Sequence, residues 1–220
     1  NRRGYAGFVS CRSCGKAMKC PHCDVSLTYH RNGRLKCHYC GFERLLPDRC
    51  PSCGSPFIAP FGTGTQKLEE FTKREFPTAR VLRMDADTTA KKGAHEEILA
   101  TFAEGGADIL IGTQMIVKGH DFENVTLVGV MAADLSLYAP DFKSAERTFE
   151  LLTQASGRAG RGDLSGDVVI QTYAPDHYAV SSSAEQDYLQ FYRQELLYRK
   201  MMVYTPLVGL LTIGLSSKRE

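Results

Sequence analysis

The chain has 220 residues, 43% hydrophobic and 24% charged, a composition typical of a folded globular protein rather than a disordered one. It contains no apolar run of the roughly 18 to 20 residues that a membrane-spanning helix requires. The net charge of +2 hides an asymmetry: residues 1–53 carry ten Lys/Arg against three Asp/Glu, whereas residues 54–220 carry seventeen against twenty-two. The basic part is therefore expected to contact an anionic partner, nucleic acid first, unless its charges simply cover a fold with a small core. Because the chain begins with Asn1, we expect it to be a fragment of a longer protein.

All eight cysteines lie in the first quarter of the chain and form four Cys-x-x-Cys pairs. A two-residue gap lets both thiolates of a pair bind one metal ion, and two pairs complete a tetrahedral site of four sulfur ligands. Four pairs therefore predict two structural metal ions. Zinc is the expected metal, although rubredoxin-type iron fits the same spacing. A disulfide framework is the alternative, but nothing else in the chain indicates secretion.

The order of the pairs favours a nested arrangement. A short hairpin with an Asn32-Gly33 turn is predicted between the second and third pairs, and it brings these two pairs together. The outer pairs are then left to bind the other ion. Sequential pairing would leave only five residues between neighbouring pairs, which is tight. The predicted sites are Cys11, Cys14, Cys50 and Cys53 for the first zinc, and Cys20, Cys23, Cys37 and Cys40 for the second.

From residue 61 onward, apolar runs of strand length alternate with helical stretches. This alternation predicts an α/β fold, with a parallel sheet covered by helices on both faces. In the helix predicted near the end, aromatic and charged residues at helical spacing predict a packing face. Strands are predicted at 80–84, 108–112, 126–131, 168–173 and 206–215, helices at 65–76, 93–104, 144–157 and 184–201, and the packing face consists of Tyr188, Tyr192, Glu195 and Arg199.

Two stretches carry residues suited to phosphate chemistry. Residues 111–121 form a polar, glycine-punctuated loop after a buried strand, where parallel α/β proteins bind ligands. In residues 154–162, Arg158 and Arg161 lie three positions apart beside several glycines. Guanidinium groups so placed can neutralise the charge that develops in phosphoryl transfer.

These stretches carry a family resemblance. QASGRAGRG (154–162) resembles motif VI of superfamily 2 helicases, and GTQMIVKGHDF (112–122) followed by VTLVGVMAAD (125–134) resembles their motif V. With the cysteine module upstream, nearly the whole chain resembles the primosomal replication-restart DNA helicases of this superfamily. The resemblance implies a RecA-like second motor lobe. The expected divisions are the end of the lobe's first strand region at 1–10, an inserted two-zinc ribbon at 11–53, the lobe at 54–175 and the start of a C-terminal domain at 176–220.

The resemblance also implies roles for particular residues. Arginines of motif VI would contact the γ-phosphate of ATP, and motif V would link the nucleotide to the DNA path. A loop-stabilising hydrogen bond is the alternative role for Thr113 and for Asp121. The implied sets are Gln154, Arg158 and Arg161 as catalytic residues, Gly119 and Asp121 as nucleotide-binding residues, and Thr113, Gln114 and Lys118 as DNA-binding residues.

The implied activity is ATP- and magnesium-dependent 3′-to-5′ unwinding of DNA at stalled forks, in the bacterial cytoplasm at the nucleoid. Branched and single-stranded DNA, primosome proteins and single-stranded DNA-binding protein are the implied partners, and no membrane is involved. The sequence contains no G-x-x-x-x-G-K-[ST] motif, so we expect no ATP hydrolysis by this chain alone. A non-enzymatic zinc-ribbon binding module and an RNA helicase of the same superfamily remain alternatives.

Overall fold

The computed structural model describes residues 8–30, 32–60, 64–117, 122–160, 165–209 and 211. The cysteine-rich part is built from five short strands: β1 (Val9–Cys11), β2 (Thr28–Tyr29), β3 (Arg34–Lys36), β4 (Glu43–Leu45) and β5 (Ile58–Pro60). Strands β2, β3 and β4 form an antiparallel meander, and β1 pairs with β5 so that Cys11 lies opposite Ile58. The hairpin β2–β3 is the predicted one, whereas β4 and the β1–β5 pair were not predicted. The β1–β5 pair closes the module by joining its two ends.

The remainder alternates helices and strands. In chain order it contains α1 (Thr65–Glu75), β6 (Val81–Met84), α2 (Ala94–Ala103), β7 (Ile109–Gly112), a 3₁₀ helix (Gln114–Val117), β8 (Leu127–Val130), α3 (Asp134–Leu137), α4 (Ser144–Ser156), β9 (Asp167–Ile170), α5 (Tyr178–Ala184) and α6 (Tyr188–Met201). Strand β6 runs parallel to β7, and β8 runs parallel to β9. The predicted α/β class is confirmed. Within the described ranges the parallel strands form two separate pairs instead of one continuous sheet.

The C-terminal part differs from the prediction in two places. The helix expected at 184–201 begins later, as α6 at Tyr188, and a separate helix, α5, ends at Ala184. Between them Gln186 has a φ of 55°, and Asp187 caps α6 by accepting a hydrogen bond from the Gln190 N–H at 2.9 Å. No strand is present in residues 206–209 or at 211, and the rest of the expected terminal strand lies outside the described residues. The described helices include none with the length and hydropathy that a membrane crossing needs.

Buried side chains form two main clusters. One lies among α3, α4, α5 and α6, where the ring of Phe149 stacks on Phe191 with centroids 4.2 Å apart. The other fills the cysteine module around Leu27 and Leu35, and it also includes Phe142 and Tyr204. The module therefore shares its core with residues far along the chain.

Candidate functional site

The four Cys-x-x-Cys pairs adopt one backbone geometry. In the first, the Cys11 N–H donates to the Lys16 carbonyl at 3.0 Å, and the Cys11 carbonyl accepts from the Gly15 N–H at 2.9 Å. The residue four positions after the first cysteine has a positive φ in every pair, which favours glycine there. The same two bonds recur at Cys20, Cys37 and Cys50, and the positive-φ residues are Gly15, Asp24, Gly41 and Gly54.

The pairs meet in two four-thiol clusters. The sulfur atoms within each cluster all lie within 4.8 Å of one another. Neighbouring sulfurs are 3.6 Å apart for Cys11 and Cys53, 3.8 Å for Cys14 and Cys50, and 3.6 Å for Cys20 and Cys40. Zinc–sulfur bonds of about 2.3 Å in a tetrahedron require sulfur–sulfur distances of about 3.8 Å, so each cluster fits one zinc ion. None of the eight cysteines forms a disulfide. The clusters are Cys11, Cys14, Cys50 and Cys53, and Cys20, Cys23, Cys37 and Cys40, which is the nested arrangement.

Backbone N–H groups favour the thiolate form that binds metal. Burial raises the pKa of the Cys11 thiol, but the N–H groups of Cys14 and Ser13 donate to its sulfur, and with the neighbouring thiols they lower that pKa to about 6. The N–H of Phe42 lowers the pKa of the Cys40 thiol in the second cluster. These backbone donors would stabilise metal-bound thiolates in both clusters, and a zinc ion in the first cluster would fix the two ends of the module together.

The described part of the motif V stretch follows β7 directly. Thr113 is half-buried, and its carbonyl accepts from the Ile116 N–H at 3.2 Å. Gln114 begins the 3₁₀ helix and is exposed. Three predicted residues of this stretch, Lys118, Gly119 and Asp121, lie outside the described residues.

The motif VI stretch begins on α4. Gln154 is exposed on its last turn, and Arg158 lies just beyond the helix, where its N–H donates to the Ala155 carbonyl at 3.0 Å. The backbones of Gly160 and Gly166 approach so closely that a Cβ on Gly166 would lie 2.2 Å from the Gly160 nitrogen. Helix α4 contacts both the 3₁₀ helix and β8, which brings the described parts of the two motifs together. Arg161 lies outside the described residues.

Asp85 organises the end of β6. It is 5% exposed and accepts from the Thr65 hydroxyl and from the N–H groups of Asp87 and Thr88. Burial raises its pKa, but these donors and the Arg83 guanidinium outweigh burial and lower the pKa to about 2. Asp85 thus fixes a turn and the start of α1.

A buried cluster of charged side chains around Arg199 was not predicted from the sequence. Arg199 donates to Glu195 and to Glu146, each at 2.7 Å, and to the Thr205 carbonyl at 3.1 Å. The Tyr178 hydroxyl donates to Glu195 at 2.7 Å. The i,i+4 spacing of Glu195 and Arg199 was a signal for part of this cluster, but the Glu146 contact crosses 53 positions.

Two protein-family models match the chain. Residues 20–44 match the PriA DNA helicase Cys-rich region (CRR) domain, and residues 58–163 match the helicase conserved C-terminal domain. The first match covers the second cysteine cluster, and the second covers the parallel strand pair β6–β7 together with α4.

Curated relatives match almost the entire chain. It is 57% identical over 217 residues to replication restart protein PriA of Bacillus subtilis, 52% over 211 to that of Synechocystis sp. and 42% over 219 to that of Treponema pallidum. These alignments cover 98%, 94% and 99% of the chain, but only 27%, 25% and 33% of the respective relatives. The chain therefore belongs to the PriA family of replication restart proteins, of which it spans a quarter to a third of the length.

Proposed function

We propose that this chain supplies the second motor lobe and the zinc module of an ATP-dependent 3′-to-5′ DNA helicase that restarts replication at stalled forks. One observation carries the proposal. Helix α4, whose end bears the motif VI sequence, packs against the 3₁₀ helix of the motif V sequence, beside a module with two four-thiol clusters. Nucleotide-responsive and DNA-facing loops of one lobe would need this adjacency.

Within that function, the motif VI arginines respond to nucleotide. Arg161 and Arg158 would reach the γ-phosphate as two lobes close, and their guanidinium charge would stabilise phosphoryl transfer. Gln154, exposed on α4, would orient the groups that surround the γ-phosphate. Gly119 and Asp121 would approach the nucleotide. ATP and magnesium would be held mainly by another lobe, because no P-loop motif is present in this sequence.

DNA contact follows from the loop after β7 and from the basic module. Thr113, Gln114 and Lys118 would hold the phosphate backbone of a single strand, and their grip would alternate with lobe closure. On the module, Lys16 and Arg44 are exposed and can attract DNA at a fork. We also propose primosome proteins and single-stranded DNA-binding protein as partners, and the cytoplasm as the location.

ATP hydrolysis by the full-length protein tests the function. We expect turnover that DNA stimulates strongly and RNA stimulates weakly, unwinding of duplexes with a 3′ single-stranded tail, and no turnover by the 220-residue chain alone. Stronger stimulation by RNA would favour an RNA helicase. DNA binding without ATP hydrolysis by the full-length protein would favour a non-enzymatic zinc-ribbon module.

A further inference from the structure

The segment just before α4 touches the second cysteine cluster through an aromatic side chain. Tyr39 lies between Cys37 and Cys40 in the sequence. Its hydroxyl donates to the Asp141 carboxylate at 3.3 Å and accepts from the Phe142 N–H at 3.3 Å. One Cys-x-x-Cys turn of this cluster is therefore bonded to the two residues that lead into α4.

The other turn of the same cluster reaches that segment through Tyr204. The Tyr204 hydroxyl donates to the Cys23 carbonyl at 2.8 Å, and its ring stacks on Phe142 with centroids 4.8 Å apart and planes 15° apart. Both rings are buried, with exposures of 8% and 9%. Both turns of the second cluster thus converge on Phe142.

On its far side, Phe142 belongs to the support of α4. The Arg199 guanidinium lies 5.5 Å from the Phe142 ring centroid and donates to Glu146 in the first turn of α4. The first cluster is attached elsewhere, because its Gly15 packs against Tyr173, beyond β9. Gly15 beside the first cluster and Tyr39 beside the second thus contact different segments of the chain, although cysteines of both clusters belong to one buried core.

We propose that Tyr39, Phe142 and Tyr204 form a coupling junction that positions α4 on the second zinc cluster. Metal in that cluster then controls the order of the helix that leads into motif VI, and displacement of α4 is transmitted to the zinc module. The order of α4 would depend on the second cluster through these contacts alone, whereas transmission of its displacement rests on the proposed function.

Amide hydrogen exchange in residues 144–156 of the full-length protein tests the junction. Cys40→Ser and Cys53→Ser each remove one exposed thiol, from the second and the first cluster respectively. We expect exchange in α4 to accelerate at least about tenfold in Cys40→Ser and less than about twofold in Cys53→Ser. Equal acceleration in both variants, or none in Cys40→Ser after loss of its zinc, would overturn the proposal.

Tyr204→Phe removes the hydrogen bond from the Tyr204 hydroxyl to the Cys23 carbonyl and leaves all eight cysteines in place. It therefore tests the junction even if Cys40→Ser does not fold. Loss of one hydrogen bond predicts about 3- to 10-fold faster exchange in α4. Tyr192→Phe is the matched control, because Tyr192 is 49% exposed on α6. Equal exchange in the two variants would contradict the junction.

Unwinding measurements test the transmission. In Tyr204→Phe we expect DNA-stimulated ATP hydrolysis within about twofold of wild type, and base pairs unwound per ATP reduced about threefold or more. If unwinding and ATP hydrolysis fell by the same factor, or if neither fell, transmission would be refuted. Absence of ATP hydrolysis in the wild-type protein would instead refute the proposed function, and the exchange data would still decide the junction.

Discussion

Gly15→Ala isolates the packing of the first Cys-x-x-Cys turn on the lobe. Gly15 has a φ of 72°, and an added Cβ would lie 2.3 Å from the Tyr173 Cβ and 2.8 Å from its Cγ. Gly54 has the same role in its own turn, with a φ of 71°, but an added Cβ there meets nothing within 4 Å. The two alanine substitutions therefore introduce the same backbone strain, and only Gly15→Ala adds a steric clash.

The expected losses in unfolding free energy follow from these two effects. Left-handed backbone costs an alanine about 1 to 2 kcal/mol, and an overpacked contact adds about 1 to 3 kcal/mol. Gly54→Ala should thus lose about 1 to 2 kcal/mol through strain alone, and Gly15→Ala about 2 to 5 kcal/mol through both effects.

Urea unfolding at a fixed free zinc concentration, followed by circular dichroism, measures both variants. Gly41→Ala provides a second control, since its φ is 76° and an added Cβ there has open space. Equal losses for Gly15→Ala and the two controls would show that the first turn does not pack on Tyr173.

Three further predictions concern metal, buried charge and pH. Cys20→Ser should release one of two zinc equivalents, whereas loss of both would contradict independent nested sites. Arg199→Met should lower the unfolding free energy by about 3 to 5 kcal/mol, because it leaves buried Glu195 uncompensated. The control Arg147→Met breaks a more exposed ion pair with Asp141 and should lower the unfolding free energy by less than about 1 kcal/mol. Equal losses in the two variants would refute the buried cluster. Asp85 has a folded pKa of about 2, below its unfolded value, so its contribution is complete above about pH 5 and is lost as pH falls toward 2. The melting temperature difference between wild type and Asp85→Asn should therefore shrink below about pH 4, and a constant difference would contradict this role of the Asp85 carboxylate.

Much of the fold could be predicted from local patterns in the sequence. The nested clustering could be predicted because a hairpin and the spacing of the cysteines are local features, and the alternation of apolar runs predicts parallel strands directly. The break between α5 and α6 could not be predicted, because a non-glycine residue, Gln186, adopts the left-handed conformation there.

The face of α6 shows where local periodicity fails. Tyr188 and Tyr192 were expected to pack, yet they are 60% and 49% exposed, whereas Glu195 and Arg199 are buried. Burial of these charges depends on Glu146, which belongs to another helix. Helical spacing identifies the residues on one side of a helix. It does not identify the distant residue, here Glu146, that covers part of that side.

The core of the cysteine module illustrates the same limit. Phe142 and Tyr204 complete it from positions far outside residues 11–53. Neither residue stands out in the sequence, because each acquires its role only through tertiary contacts with the second cluster. The motif VI arginines, in contrast, are assigned from the sequence and its family resemblance, and their roles stay a prediction.

The most direct test of the motor function is Arg161→Ala in the full-length protein. We expect DNA-stimulated ATP hydrolysis to fall by about a thousandfold, with DNA affinity within about threefold of wild type. Arg147→Ala, which removes an exposed arginine of α4 that pairs with Asp141, should hydrolyse ATP normally. Full ATP turnover by Arg161→Ala would contradict the assignment of this chain as the arginine-bearing lobe of the motor.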